Sequence, residues 1–195
     1  MLKQRLKDMD ACSDAIKWVG DRDIETAWAE CERADWMLWL AAKVNVDRKV
    51  IVLAACDCVE SVLHLIPANE DRPRLAIESA RAWCRGDVSI DVVRDAADAT
   101  YFADYAANVD YAAANAAAYA AYAADAYYAA NAAAIVAANA AANAAANAAN
   151  AAASDAGAAR ADLAAKVRKR IHVGMIKQAL EDYPLTIEKL CAGGE

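Results

Sequence analysis

The feature that most constrains this chain is a stretch of 70 residues, 96–165, in which 41 residues are alanine. No lysine or arginine occurs from residue 96 through residue 159. Because alanine has the highest intrinsic helix propensity and no side-chain entropy to lose, we expect this stretch to be helical. It offers few large side chains for a core. Its helices can therefore be stable only where backbones approach closely, or where the Trp-rich N-terminal half covers them.

Helical periodicity also predominates in the rest of the chain, and sustained period-2 alternation is missing. At 195 residues the chain is long enough for one sizeable core. We predict a single all-α domain, 1–195, built as a multi-helix bundle with a closely packed Ala-rich helical hairpin in its C-terminal half. Its parts are a Trp/Cys-rich half (1–88), Ala/Asn/Tyr-rich helices (89–156) and C-terminal helices (157–195).

Capping residues and helix breakers predict where the helices begin and end. The helices expected before the Ala-rich stretch are 1–19, 24–31, 34–43, a central buried helix 47–66, and one that begins at Asp71 and Pro73 and stops at Gly86. A further helix starts at Ser89, and 158–172, 175–183 and 185–191 follow the stretch. Unbroken, the Ala-rich helix would be a rod of about 100 Å, at roughly 1.5 Å per residue. We expect breaks near 108–110 and 131 instead, with the continuous rod as the alternative.

Composition limits the compartment and the ligands. A formal net charge of −7 argues against direct nucleic-acid binding, which normally uses a basic surface. Asp, Asn and Tyr recur through the Ala-rich stretch, so we expect no membrane span. The first residues lack the apolar run of a signal peptide, and the six cysteines are interpreted as reduced, mostly buried thiols of a cytoplasmic protein. No motif for a cofactor or a metal is present, so neither is expected.

Asparagine and tyrosine recur at helical intervals within the Ala-rich stretch. The asparagines of the clearest stripe are Asn139, Asn143, Asn147 and Asn150, and the tyrosines of a second stripe are Tyr101, Tyr105, Tyr119 and Tyr122. A solvated stripe on Ala-packed helices is the structural explanation, with tyrosine supplying bulk and its hydroxyl reaching the surface. The functional alternative is a recognition surface for another protein. An ice-binding surface is a third interpretation.

A polar stripe on the predicted helix 47–66 is the strongest enzyme candidate. Asp57, Glu60, Ser61 and His64 are spaced three and four apart, so an acid/base pair is geometrically feasible. The structural alternative is one satisfied polar line on a buried helix. Cys56 and Cys58 flank Asp57, but thiols two apart on a helix diverge and cannot hold one metal ion together.

Two clusters of charge are candidates for recognition. Glu70, Arg72 and Arg74 surround the helix start at Asp71, where Asp71 is expected to be the cap. The two arginines are then left for salt bridges or for anion contacts with a partner. Four basic residues near the C-terminus, Lys166, Arg168, Lys169 and Arg170, are interpreted as a solvated helix end.

Four segments together resemble a known family. They are 27–31 (AWAEC), 33–40 (RADWMLWL), 53–58 (LAACDC) and 63–86, which contains EDRPRLAIESARAW. This pattern resembles the fifth immunity-protein family of bacterial polymorphic toxin systems, whose members also occur in phage genomes and often continue into an Ala/Tyr-rich tail. The resemblance implies a non-catalytic protein that binds and neutralises a cognate toxin, or a host-defence effector if the gene belongs to a phage; the location would then be the host cytoplasm.

The leading hypothesis is therefore a small helical inhibitor that binds a protein partner, and its acidic charge suits a basic target such as a nuclease. The residues proposed as partner contacts are Arg33, Asp35, Trp39, Glu70, Arg72 and Arg74. One alternative is a ligand sponge, a helical homo-oligomer that binds an anionic small molecule or nucleotide signal through Arg72 and Arg74. The other is an enzyme that uses Asp57, Glu60 and His64.

Overall fold

In a computed structural model of the chain, the described residues are 1–103, 111–125, 143, 145–151 and 156–183. Every regular element within these ranges is helical, and they contain no strand. The prediction of an all-α bundle is confirmed. No helix in these ranges is both long and apolar enough to span a membrane.

The helices have the following bounds. In the N-terminal half they are α1 (Leu2–Asp8), α2 (Ser13–Val19), α3 (Ile24–Glu30), α4 (Ala34–Lys43), α5 (Arg48–Glu60), a 3-10 turn (Leu63–Leu65) and α6 (Arg72–Arg85). They continue with α7 (Ile90–Ala103), α8 (Tyr111–Asp125), α9 (Ala156–Arg170) and α10 (Val173–Asp182), and residues 145–151 are also helical. The predicted helix 185–191 lies outside the described residues.

The predicted first helix, 1–19, is wrong because Asp10 divides it. Asp10 has φ of 61°, and the Ala11 amide donates to the Leu6 carbonyl at 2.9 Å while the Asp10 amide donates to Lys7. This pair of bonds is the Schellman motif that closes a helix on a left-handed residue. The same pattern closes α4 at Asn45 and α6 at Gly86, so only the third of these ends carries the glycine that the sequence signals.

The central position predicted for the helix that follows Asp47 is confirmed, although it ends earlier than expected. Asp47 caps α5 by accepting from the Lys49 amide at 2.7 Å. The helix packs against α4, α6, α8 and α9. It stops at Glu60 rather than at 66, and a separate 3-10 turn follows. One hydrophobic cluster joins side chains from all three parts of the chain, from Leu6 to Leu180.

The Ala-rich helix α8 is buried on all its faces. It packs against α5, α6 and α7, and its alanines from 113 to 124 are at most 2% exposed. Asn115 is also buried, and only Tyr119 and Tyr122 are half-buried. A helix that is apolar all round belongs in a core, and methyl side chains let neighbouring backbones come close. The expected close packing of the Ala-rich segment is confirmed for α8.

A hydrogen bond between α7 and α8 contradicts the continuous rod. The Tyr122 hydroxyl donates to the Asp98 carboxylate at 2.5 Å. In one straight helix these residues would lie roughly 36 Å apart, at 1.5 Å per residue. The two helices are therefore separate and packed side by side. The Tyr122 hydroxyl faces a neighbouring helix, so it does not follow the expected solvated stripe. The breaks predicted near 108–110 and 131, and the side chains of Tyr101 and Tyr105, lie outside the described residues.

Candidate functional site

The largest concentration of aromatic side chains in the described structure surrounds an N-terminal cleft of about 340 Å³ formed by α1 to α4. Its wall includes four of the five tryptophans of the chain: Trp18, Trp28, Trp36 and Trp39. We call this cavity the N-terminal cleft. Most of the remaining wall is aliphatic, and its charged members are Arg33 and Asp35. Pockets of this size, mainly apolar with a few polar groups, are the usual form of a binding site.

The tryptophans are held by contacts from different helices. Trp28, on α3, is buried, and its indole N–H donates to the Ile171 carbonyl at 3.2 Å. Trp18 on α2 meets Trp36 on α4 edge to face, with ring centroids 6.1 Å apart. This is a favoured aromatic geometry. The cleft therefore has a fixed aromatic wall that the sequence spacing alone does not reveal.

Cationic side chains lie over the half-buried rings. The Arg22 guanidinium is 4.9 Å from the Trp18 centroid, and that of Arg33 is 4.5 Å from the Trp36 centroid. The Lys43 ammonium is 5.9 Å from the Trp39 centroid. These distances are within the range of cation–π attraction, so the rim of the cleft combines indole rings with positive charge.

An ion pair between Arg33 and Asp35 forms the polar edge of the cleft. The Arg33 Nε lies 2.8 Å from Oδ1 of Asp35, and Nη2 lies 2.5 Å from Oδ2. This hydrogen bonding to Asp35 raises the pKa of Arg33 above its usual value. The Arg33 Nη1 has no hydrogen-bond partner within the described ranges. Three of the predicted contact residues, Arg33, Asp35 and Trp39, thus come together in one site.

The other three predicted contacts lie at the start of α6 and are bonded internally. Glu70 is buried and accepts from Nε of Arg72 at 2.6 Å and from the Arg72 amide at 3.1 Å. Its bonds to Arg72 lower the pKa of Glu70. Arg74 reaches the Leu63 carbonyl at 3.4 Å. No hydrogen bond, ion pair or ring contact between described residues joins this group to the cleft.

The expected role of Asp71 as the cap is wrong. Asp71 occupies the cap position of α6, but its side chain makes no capping hydrogen bond. Glu70 performs this function instead, because its side chain reaches forward to accept from the first amide of the helix, that of Arg72. Arg72 is consequently occupied by Glu70, which weakens the case for an anion site formed by Arg72 and Arg74.

The acid/base pair predicted from Asp57, Glu60 and His64 does not form. Asp57 binds Arg81 at 3.0 Å and Arg170 at 2.6 Å, and Glu60 binds Arg81 at 2.7 Å. The pKa of Glu60 is lowered, chiefly by its hydrogen bond to Arg81. Because α5 ends at Glu60, His64 lies exposed on the 3-10 turn, with no hydrogen bond to either carboxylate. Both carboxylates are therefore engaged in internal ion pairs.

The C-terminal basic cluster follows the expected solvated face only in part: Lys169 and Arg170 are exposed, whereas Lys166 and Arg168 are half-buried. Arg170 pairs with Asp57, and Lys166 pairs with Asp162. Arg168 donates Nη1 to the carbonyls of Cys31 at 2.8 Å and of Trp28 at 3.3 Å. The contacts of Arg168 and Arg170 join residues more than 100 positions apart, and the sequence contains no signal for them beyond the positive charge.

The asparagine stripe lies on the surface where the structure describes it. Asn143 and Asn150 are exposed, Asn147 is half-buried, and Asn139 lies outside the described residues. Asn150 also lines a hollow of about 210 Å³ that includes Arg33. Asn150 of the stripe thus shares this hollow with Arg33, the arginine that also borders the N-terminal cleft.

The cysteines of the described ranges are free thiols. Cys31, Cys56 and Cys58 are buried, Cys84 is half-buried and Cys12 is exposed. Burial raises the pKa of Cys56 and of Cys58 to about 12, and that of Cys84 to about 11. Thiols with such values are protonated and unreactive at neutral pH. No group of three metal-binding side chains is found in the described part of the chain.

Comparison with protein-family models, with curated proteins and with solved structures gives no match for this chain. The resemblance to the fifth immunity-protein family therefore stays a prediction.

Proposed function

We propose that this protein is a non-catalytic binding protein that neutralises a toxin or a host-defence effector by direct contact. The observation that supports the proposal is the rim of the N-terminal cleft, where half-exposed tryptophans alternate with arginine and lysine. Tryptophan and arginine are the residues most enriched among those that dominate protein–protein binding energy. Of the rim residues, Arg33, Trp36 and Trp39 lie in the segments that resemble the immunity family, whereas Trp18 and Arg22 precede them.

The rigidity of the rim favours binding. Trp36 is held between Trp18 and the Arg33 guanidinium, and Arg33 is fixed in turn by Asp35. Side chains that are already ordered lose little entropy when a partner binds, so more of the contact energy appears as affinity. The internal ion pairs of Asp57 and Glu60 add support, because they leave the main enzyme candidates without a reactive pair.

The charge of the chain suggests the kind of partner. A net charge of −7 favours association with a basic protein through electrostatic steering. The cationic rim is a local exception, and it would meet an acidic or aromatic patch within a generally basic partner. A basic toxin such as a nuclease has this overall character.

The first step of the test is to isolate a stoichiometric complex from the native host. The affinity of the purified partner is then measured for two matched variants. Trp39→Ala removes a rim tryptophan, and we expect the affinity to fall at least about tenfold, as for a hot-spot residue. Trp83→Ala is the control, because Trp83 is also half-buried beneath two cations, Arg48 and Lys49, but lies on α6 away from the cleft. The proposal fails if no stoichiometric protein partner is recovered, or if both variants bind it equally.

A further inference from the structure

The N-terminal cleft has hydrogen-bond donors that the protein itself leaves unused. Nη1 of Arg33 has no partner in the described structure, and neither do the indole N–H groups of Trp18, Trp36 and Trp39. The one acceptor side chain in the wall, Asp35, is already occupied by two atoms of Arg33. The cleft therefore offers donors and aromatic surface, and it matches a ligand that supplies acceptors and a flat ring.

The charged side chains that contact the cleft also favour a ligand with hydrogen-bond acceptors. The charged side chains of the wall are Arg33 and Asp35, and those that contact its aromatic or backbone groups include Arg22, Lys43 and Arg168. Glu30 pairs with Arg22, and Asp35 pairs with Arg33. Lys43 and Arg168 have no ion pair among the described residues, and Arg168 binds the backbone carbonyls of the wall. These two cations, which no carboxylate pairs with among the described residues, favour a negative charge in the cleft.

We propose that the N-terminal cleft binds a small planar aromatic molecule carrying one carboxylate, with its ring against the tryptophans and its carboxylate at Nη1 of Arg33. This inference goes beyond the proposed function and does not rest on it. The guanidinium keeps its two bonds to Asp35 and uses its remaining face for the ligand, so the site needs no rearrangement of the ion pair. A cation would be repelled by the rim, and a non-planar aliphatic acid would lose contact with the indole faces.

The test is calorimetric titration of the full chain with 2-naphthoate, 2-naphthamide and cyclohexanecarboxylate at low ionic strength. We expect one molecule of 2-naphthoate per chain, and about tenfold weaker binding of the uncharged amide, the loss typical of one charge-assisted hydrogen bond. Cyclohexanecarboxylate should bind more weakly than 2-naphthoate because it cannot stack. No saturable binding of 2-naphthoate, or equal binding of the acid and the amide, would overturn the proposal without any variant being needed.

A matched pair of variants locates the carboxylate. Arg33→Gln should weaken 2-naphthoate about tenfold and leave 2-naphthamide nearly unchanged, because only the charged ligand loses a charge-assisted bond. Arg85→Gln is the control, since Arg85 also pairs with an aspartate two residues later, Asp87, at 2.7 Å, on an exposed helix end away from the cleft. Circular dichroism checks that both variants fold. Equal affinity of the two variants for 2-naphthoate would contradict the assignment of Arg33.

Discussion

The substitution Ala117→Leu in α8 should destabilise the protein, although it makes the core more apolar. Ala117 is fully buried, and its neighbours on the helix, Ala116 and Ala118, are also at 0% exposure. The three added carbon atoms would have to fit between α8 and the helices α5, α6 and α7, which all contact it. Room for the larger side chain would have to come from moving helix backbones apart.

Whether Ala117→Leu raises or lowers the free energy of unfolding shows how closely α8 is packed. If the three carbons entered an existing void, burial would stabilise the fold by about 2.4 kcal/mol, at roughly 0.8 kcal/mol per methylene. If no void exists, overpacking costs about 1–3 kcal/mol. We expect the second outcome. For a domain of this size it corresponds to a decrease in Tm of about 2–12 °C, at roughly 2–4 °C per kcal/mol.

The measurement is the free energy of unfolding in urea, followed by circular dichroism at 222 nm. Ala99→Leu is the matched control, because Ala99 is exposed on the neighbouring helix α7. Its effect should be within about 0.5 kcal/mol, as for most surface substitutions. An Ala117→Leu variant that equals or exceeds the wild type in stability would refute the close packing of α8.

Three further predictions concern capping, the ion cluster and the thiols. Asp47→Ala should lower the free energy of unfolding by about 1 kcal/mol through loss of a helix cap, whereas Asp71→Ala should leave it unchanged because its side chain caps nothing. Asp57→Ala should lower the free energy of unfolding by about 2 kcal/mol, since the guanidinium groups of Arg81 and Arg170 lose their carboxylate. An unchanged urea midpoint of unfolding would contradict this. At pH 8.5, iodoacetamide should label Cys12 and spare Cys56, as read by mass spectrometry after a timed quench. Because burial raises the pKa of Cys56 from about 9 in the unfolded chain to about 12, its contribution to stability is present below pH 9 and is lost between pH 9 and 12, by about 1.4 kcal/mol per unit. The free energy of unfolding of a Cys56→Ala variant should therefore fall less steeply between pH 9 and 12.

The sequence predicts some helix ends from a local chemical signal, although Asp71 and the end of α5 show that such a signal can mislead. Gly86 ends α6 because glycine readily adopts a positive φ, and Asp47 begins α5 because its carboxylate caps the first amides. The sequence predicts both of these helix ends correctly. Asp10 was missed because a left-handed aspartate carries no distinct signal, since aspartate is also common in solvated helix positions. Helix type and the close packing of α8 followed from alanine content alone.

The candidate site was less predictable, because its members meet only in three dimensions. Trp39 was selected from its motif, but Trp18 and Trp28 gained a role only when α2 and α3 packed beside α4. The Arg170 contact with Asp57 crosses 113 residues, and no periodicity encodes a pairing at that distance. Local patterns predict helices and their faces, whereas the partners of a charge depend on the final arrangement of the helices.

The gathering of tryptophans around the cleft has an optical consequence. All five tryptophans precede residue 88, and all eight tyrosines follow residue 100. Light at 295 nm excites only the tryptophans, and four of the five line the cleft, so the emission reports mainly on the cleft, with Trp83 on α6 adding a contribution from elsewhere. Tyrosine-to-tryptophan energy transfer reports on how closely the two halves approach. The two kinds of aromatic residue thus report on two regions of the chain without an added label. Coincident unfolding curves from both signals would show that the cleft and the Ala-rich helices form a single cooperative unit.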